Sequence, residues 1–301
     1  MKPVTLFKKT TGLNNVSKPN RLSFDYSSGE TELVSAYNVD VGDTGEVSRR
    51  RGQTATPRTE NIHSIFCEGG DCFFVLSNAL YRLNKDYSAY GVRNTMTVGA
   101  KVSFCQIVER TYYCNGFEKG YVINGVGYNW TADEYIGPAT HRIFSDPPVG
   151  HLLTYLSGRI YVAQGSVGLY SEPYAYGWFD LAKNFIPFGQ HIKMWRAVEK
   201  GIYVGFGDMV VFLAGTDPKE FIFKVVSDSP VVEGTDVYAS GDKIGKGEET
   251  ERMVMWTASD GIYVGQSDGK VRNVTAGRLT IPESSYGCAV YADGQYITLF
   301  Q

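Results

Sequence analysis

Three consecutive cations, Arg49, Arg50 and Arg51, stand in the stretch "YNVDVGDTGEVSRRRGQT", residues 37–54. Guanidinium groups bind phosphate, other anionic ligands, or carboxylates of the same or a neighbouring protein. Alternation along a strand sends Arg49 and Arg51 to one face and Arg50 to the other. Nucleic-acid binding needs a broad basic surface. Here the net charge is -3, and Asp40, Asp43 and Glu46 lie close by. A local salt-bridge network or a protein contact is therefore favoured over phosphate binding.

Other reactive residue types lack the company that chemistry requires. "DVGDTG" has oxygen ligands but not the third-position Asp or Asn and the late Glu of an EF-hand, so it reads as a polar turn. The histidines His63, His141, His151 and His191 show no metal-ligand spacing, and His141 and His151 read as loop residues around "SDPPVG". The chain has no G-x-S-x-G elbow, P-loop or H-E-x-x-H. The two "SDG" triplets, at 259–261 and 267–269, read as hairpin turns. No metal, cofactor or catalytic residue is expected.

The five cysteines lack paired CxxC spacing. Their odd number and the absence of an apolar leader in "MKPVTLFKKTTGLNN" favour reduced, mostly buried thiols. Cys67 and Cys72 flank "EGGD", where a hairpin disulfide is the alternative. The aromatic stretch "PYAYGWFDLAKNF", 173–185, offers Tyr174, Tyr176 and Trp178 as a protein interface or as core filling, ahead of sugar stacking.

The elements that must carry these residues are strands. The chain has 301 residues, 21 Tyr and 34 Gly, and little helical periodicity. No run approaches the roughly 18 apolar residues of a membrane span. One hairpin unit recurs, as in "LLTYLSGRIYVAQGSVGLYSEP" at 152–173, "AVEKGIYVGFGDMVVFLAG" at 197–215, "VMWTASDGIYVGQSDGKVRNV" at 254–274 and "GCAVYADGQYITLFQ" at 287–301. The turn glycines Gly158, Gly201, Gly261 and Gly294 lie 43, 60 and 33 residues apart by subtraction. That spacing predicts an all-β fold, a β-propeller of about five or six blades, with a β-sandwich as the competing architecture. Residues 1–30 read as an N-terminal arm and 31–301 as one propeller domain. The final "YITLFQ" is expected to pair with residues 31–41, so that N- and C-terminal strands close the ring.

The opening "TGLNNVSKPNRLSFD", followed by "ELVSAYNVDVGDTGEVSRRRGQT", resembles the N-terminal signature of tailed-phage virion proteins: a "G-x-N" start, a strand ending "N-V-D", a polar turn and "S-R-R-x-G". The stretch "RIYVAQGSVGLYSEP…FIPF…GIYVGFGDMVVFLAG" is similar to a second pattern of the same proteins: "L-x-Y-S-x-P", then "F-x-x-x-x-x-x-I-x-F", then a "G-I-Y-V…V-x-x-L-x-G" hairpin. The family is that of β-propeller tail nozzle, tail hub and head–tail connector proteins, and the likeness covers about residues 10–55 and 150–215. It implies a structural, non-enzymatic protein made in the bacterial host cytoplasm and built into the virion tail. Such a chain would form a homo-oligomeric ring, on the order of six or twelve copies, around the channel of genome ejection. Its partners would be copies of itself, adaptor, fibre or other tail proteins, and DNA passing without specific binding; no membrane is implied. Arg49, Arg50 and Arg51 would then face acidic groups of a blade or a neighbouring subunit. A carbohydrate- or receptor-binding propeller is the alternative, predicting exposed aromatics in equivalent pockets. A hydrolytic propeller would need converging carboxylates at its central funnel.

Overall fold

In a computed structural model of the chain, the described residues are 9–25, 27–42, 44–50, 52, 62–132, 144–241, 251–282, 286–292 and 294–301. They form a β-propeller arrangement of five four-stranded antiparallel blades in chain order. Ahead of the blades come β1 (Lys9–Leu13), β2 (Phe24–Asp25) and β3 (Glu30–Leu33), then a hairpin of β4 (Val39–Val41) and β5 (Val47–Arg49). Blade 1 holds β6 (Ile62–Glu68), β7 (Asp71–Leu76), β8 (Ala79–Leu83) and β9 (Ala89–Arg93). Blade 2 holds β10 (Ser103–Ile107), β11 (Arg110–Cys114), β12 (Lys119–Ile123) and β13 (Val126–Asn129). Blade 3 holds β14 (Leu152–Leu156), β15 (Arg159–Gln164), β16 (Val167–Tyr170) and β17 (Phe185–Pro187). Blade 4 holds β18 (Met194–Val198), β19 (Gly201–Gly205), β20 (Val210–Ala214) and β21 (Ile222–Ser227). Blade 5 holds β22 (Val237–Ser240), β23 (Arg252–Ala258), β24 (Gly261–Gly265) and β25 (Val271–Asn273). The chain ends in the hairpin β26 (Gly287–Ala292) and β27 (Gln295–Phe300).

Strand alternation explains why such sheets stack. Successive side chains point to opposite faces, so a strand with both faces apolar feeds two cores at once. In β11, Tyr113 packs with Phe73, Leu80 and Phe104, while Tyr112 packs with Leu153, Ile160 and Phe179. In β15, Ile160 and Val162 join blade 2, while Tyr161 and Ala163 join Trp195, Ile202 and Val204 of blade 4. In β19, Ile202 and Val204 look back to blade 3, while Tyr203 meets Val254 and Trp256 of blade 5. The Tyr of the recurrent "-YV-" is thus a core residue in β15 and β19, where Tyr161 and Tyr203 are fully buried.

The hairpin turns follow from the residues at their tips. Ser157 and Gly158 both have positive φ, 46° and 82°, the combination that lets a two-residue loop follow the strand twist. Gly158 also lies under the Tyr174 ring: a β-carbon there would sit 2.8 Å from its Cζ.

Hydroxyl groups near the start of blades 1, 2 and 3 staple each to the next. Val102 N donates to Ser64 Oγ (2.9 Å), Leu153 N to Ser103 Oγ (2.9 Å), and Ala197 N to Thr154 Oγ1 (2.9 Å). Within the last part, Thr257 N donates to Thr235 Oγ1 at 3.1 Å. Each bond satisfies a backbone donor that adjoining sheets would otherwise strand.

Two expectations change. First, β27 pairs with β26 and not with residues 31–41: β3 pairs with β1 and β2, and β4 pairs with β5. The terminal hairpin instead lays Tyr291 and Tyr296 over the blade 5 core of Met253, Met255 and Val264. The N-terminal segment reaches the end of blade 5 through Asn15, whose Nδ2 donates to Thr280 O (2.8 Å) and whose Oδ1 accepts from Thr280 N (2.8 Å). Second, Cys67 and Cys72 form a disulfide, the alternative reading of "CEGGDC"; Cys105 and Cys114 are buried free thiols and Cys288 is exposed. β3 lies in one sheet with β1 and β2. No helix among the described residues is long and apolar enough to cross a membrane.

Candidate functional site

The basic turn is a short hairpin held against the arm. Val39 pairs with Arg49 and Asp40 with Ser48, and Thr10 N donates to Gly45 O at 2.7 Å. Arg50 turns back on its own hairpin: Nε donates to Asp40 Oδ1 at 2.9 Å and Nη2 to Val39 O at 3.4 Å. This pair is exposed, so water screens most of its attraction. Arg49 is exposed and has no acidic partner among the described residues. Arg51 lies outside the described residues, as does Asp43. "GDTG" is a hydrogen-bonded turn, with Gly42 N on Glu46 O and Gly45 N on Gly42 O.

The three aromatic candidates occupy the crossover between β16 and β17, and they divide by environment. Tyr174, at φ +57°, is 78% exposed. Tyr176 packs edge-on against Tyr112 and Tyr155, and its carbonyl accepts from Trp130 Nε1 at 3.0 Å. Burial raises its hydroxyl well above the ordinary tyrosine range. Trp178 is half-buried and stacks on Phe144 at 5.2 Å. Tyr176 and Trp178 are thus partly buried in packing contacts, and Tyr174 is the most exposed of the three.

A third group was not singled out in the sequence. It gathers charged residues of blades 1, 4 and 5 near the strands that open the sheets. Arg196 of β18 donates through Nε to Asp236 Oδ2 (2.5 Å) and through Nη2 to Asp236 O (3.1 Å). Arg252 of β23 donates to Glu68 Oε1 of β6 at 3.0 Å, joining blade 5 to blade 1. Its backbone N donates to Glu199 Oε1 at 3.0 Å. The Tyr238 ring lies between the two guanidinium groups, 5.1 Å from Arg196 Cζ and 4.5 Å from Arg252 Cζ. Its hydroxyl reaches Thr154 of blade 3 at 3.3 Å. Burial alone would lower the Arg196 guanidinium; Asp236 and Tyr238 outweigh it and hold the group charged, above its usual range. The same charges reach Cys105 of blade 2, whose thiol burial pushes up to about 12.

Five blades therefore send side chains toward one place, and there each arginine has its carboxylate and each shares one ring. This arrangement ties blades together; its carboxylates are spent on arginines rather than set up as an acid–base pair. The signal for it in the sequence is Arg196 itself, a charge inside the apolar run "MWRAV".

Among the histidines, His151 stacks on His191 at 4.6 Å and places Nε2 2.7 Å from Ile192 O. His141 lies outside the described residues. Burial lowers His151, and its neighbour His191 adds to that; burial and Lys101 lower His63. Both rings are neutral in the native state below the pH at which an unfolded histidine, near 6.5, takes a proton. Unfolding therefore takes up protons, and stability falls as pH drops below about 6.5. Urea midpoints at pH 7.5 and 5.5 measure this, the lower midpoint being expected at pH 5.5. Replacing both His63 and His151 with Gln flattens the difference.

No family model matches the chain, and no curated protein matches it. Among solved structures, BBS1N in complex with ARL6DN, soaked with lead, is similar at 12% identity and a TM-score of 0.51, over 85% of this chain and 81% of that one. The mercury-soaked form is similar at 11% identity and a TM-score of 0.45, over 73% of this chain and 66% of that one. The extracellular domain of the putative hybrid two component system BT4673 from B. thetaiotaomicron gives 14% identity and a TM-score of 0.44, over 74% of this chain but 28% of that one. At 12% identity the likeness to the lead-soaked structure is one of fold alone.

Proposed function

We propose that the chain is a structural protein of a bacteriophage tail or head–tail joint, a propeller unit that assembles as a ring around the DNA exit channel and docks on tail or adaptor proteins. The observation that carries the reading is the segment bearing the virion signature. Residues 9–50 stand ahead of the blades as an arm and a hairpin, tied to blade 5 through Asn15 and presenting the exposed Arg49 beside the Arg50–Asp40 pair. A docking element built this way is complementary to acidic groups of a neighbouring subunit, which steers encounter and fixes register. The second stretch of likeness, 150–215, supplies blade 3 and the first three strands of blade 4. In this reading DNA passes through the bore of the oligomer. The place where the blades converge holds Arg196, Tyr238, Arg252 and Glu68, already paired with one another.

Quantitative mass spectrometry of purified particles tests the proposal. A fixed small copy number relative to the capsid protein, on the order of six or twelve, is expected. Replacing Arg49, Arg50 and Arg51 together with Ser should cut incorporation at least about tenfold while changing the unfolding free energy of the isolated protein by no more than roughly 0.5 kcal/mol, the usual range for surface changes. Absence of the protein from particles overturns the reading; unchanged incorporation of the triple variant removes the arginines from it.

A further inference from the structure

The tip of the first hairpin in blade 1 combines three features. Cys67 and Cys72 are directly opposite on β6 and β7 and disulfide-bonded, with the pair Glu68–Asp71 one rung beyond them. Gly69 and Gly70, at φ +59° and +89°, close the turn. The register shifts between His63 and Phe66, so the paired ladder from that irregularity to the turn is only Phe66–Phe73, Cys67–Cys72 and Glu68–Asp71.

This short ladder carries a contact of blade 1 to blade 5, one to blade 2, and an ion pair within blade 1 itself. Glu68 accepts from Arg252 of blade 5 at 3.0 Å, and Arg252 lies over the Tyr238 ring. Asp71 pairs with Arg82 of β8 at 2.6 Å. Gly69 lies against the Gln106 amide of blade 2, where a β-carbon would sit 2.6 Å from Nε2. The disulfide joins the residue before one carboxylate to the residue after the other, and so fixes both on one rung.

The bond is also open to attack. Cys67 is exposed. Cys72 lines a groove of about 240 Å³ together with Gly70, Arg82, Leu83, Asn84 and Lys85. We propose that Cys67–Cys72 is a reversible thiol–disulfide site for dithiol reductants, and that its state sets how firmly the Glu68–Arg252 pair joins blades 1 and 5. One reductant thiolate attacks Cys67 Sγ, and the S–S bond breaks as a mixed disulfide forms. Cys72 leaves as a thiolate into the groove lined by Arg82 and Lys85 and takes its proton from solvent. The second reductant thiol attacks the mixed disulfide, frees Cys67 and closes the reductant's own disulfide. The protein gains two electrons and two protons, and the reductant loses the same.

The inference stands apart from the virion reading. Its test uses the full chain with and without dithiothreitol, alkylation with iodoacetamide, and hydrogen–deuterium exchange. Oxidised protein should take up label at Cys288 but not at Cys67 or Cys72, and reduced protein at all three. Exchange of peptides covering 66–73 should rise about tenfold on reduction, and that of peptides covering 252–256 about two- to threefold, as local openings become easier. A Cys67→Ser/Cys72→Ser variant should exchange like the reduced protein and ignore the reductant. Should that variant not fold, the reduced wild-type chain gives the same reading. The proposal is overturned if peptides 252–256 exchange alike in both states, if the bond resists dithiothreitol in the folded protein, or if both thiols label without reductant.

Discussion

Asp236→Ala lowers the unfolding free energy by about 3 kcal/mol, because it leaves the Arg196 guanidinium in a partly dry site without its carboxylate. The Asp236 side chain is 5% exposed and that of Arg196 is 25% exposed, so water replaces little of what is lost. Two donors, Nε and Nη2, both point at Asp236, and the Nη2 bond goes to its backbone carbonyl. That second bond survives the substitution, which sets the effect at the lower end of the range for a broken buried pair. Asp236→Asn keeps an acceptor near Nε without its charge and should fall between wild type and Asp236→Ala. The double variant Arg196→Met/Asp236→Leu removes both charges and should return to within about 1 kcal/mol of wild type, since apolar isosteres of a buried pair are often neutral. Urea midpoints with unchanged slopes report these values. A cost below about 0.5 kcal/mol for Asp236→Ala, the level of an ordinary surface change, would show that the pair behaves as a solvated one.

The strands were legible because they repeat a local pattern. "GIYVG" occurs twice, and both copies, β19 and β24, follow the same kind of turn and pair with the strand before them. Alternation within a strand assigns its two faces and needs no knowledge of distant residues. Partners far along the chain were not legible in the same way. "YITLFQ" has the alternation of a strand that any edge would accept, and nothing in it specifies β26 over residues 31–41. Arg196 announced itself as a charge in an apolar run, but its carboxylate stands forty residues on, one of many acids in the chain. Ser64, Ser103 and Thr154 read as ordinary polar strand residues until adjoining blades aim a backbone N–H at each. The aromatic stretch shows the same limit: Tyr174 and Tyr176 are two residues apart, and the φ +57° at Tyr174 and the Tyr112 and Tyr155 rings around Tyr176 separate an exposed side chain from a partly buried one. The arginine run gave its charge and turn from local residues, and for Arg50 the nearby acid, Asp40, proved to be the partner.

Trp256→Ala should cost more than any single substitution considered above, about 4 kcal/mol, the middle of the range for emptying a large core site. Trp256 is fully buried between blades 4 and 5, packed with Met194, Tyr203, Phe212 and Val254. Its ring stacks on Tyr263 at 5.5 Å and 9°, and lies 5.7 Å from Tyr203. Collapse into the space is hindered because the neighbours are held: Tyr203 donates to Gln266 O at 2.6 Å, and a β-carbon on Gly265 would already sit 2.6 Å from the Tyr203 ring. The loss should also be local, since Trp256 joins the blade 4–5 core and not the cores farther back along the chain. Hydrogen exchange in β23 and β24 should therefore rise before that in β11 or β15. Trp256→Phe separates volume from polarity. The indole Nε1 is buried with no acceptor among the described residues, so phenylalanine removes an unpaired donor while keeping an aromatic face for Tyr263. The removed desolvation cost offsets part of the smaller cavity, and the net change should stay below about 1.5 kcal/mol. A phenylalanine variant as unstable as the alanine one would mean that Nε1 is bonded in solution, and that the donor, not the ring's volume, holds blades 4 and 5 together.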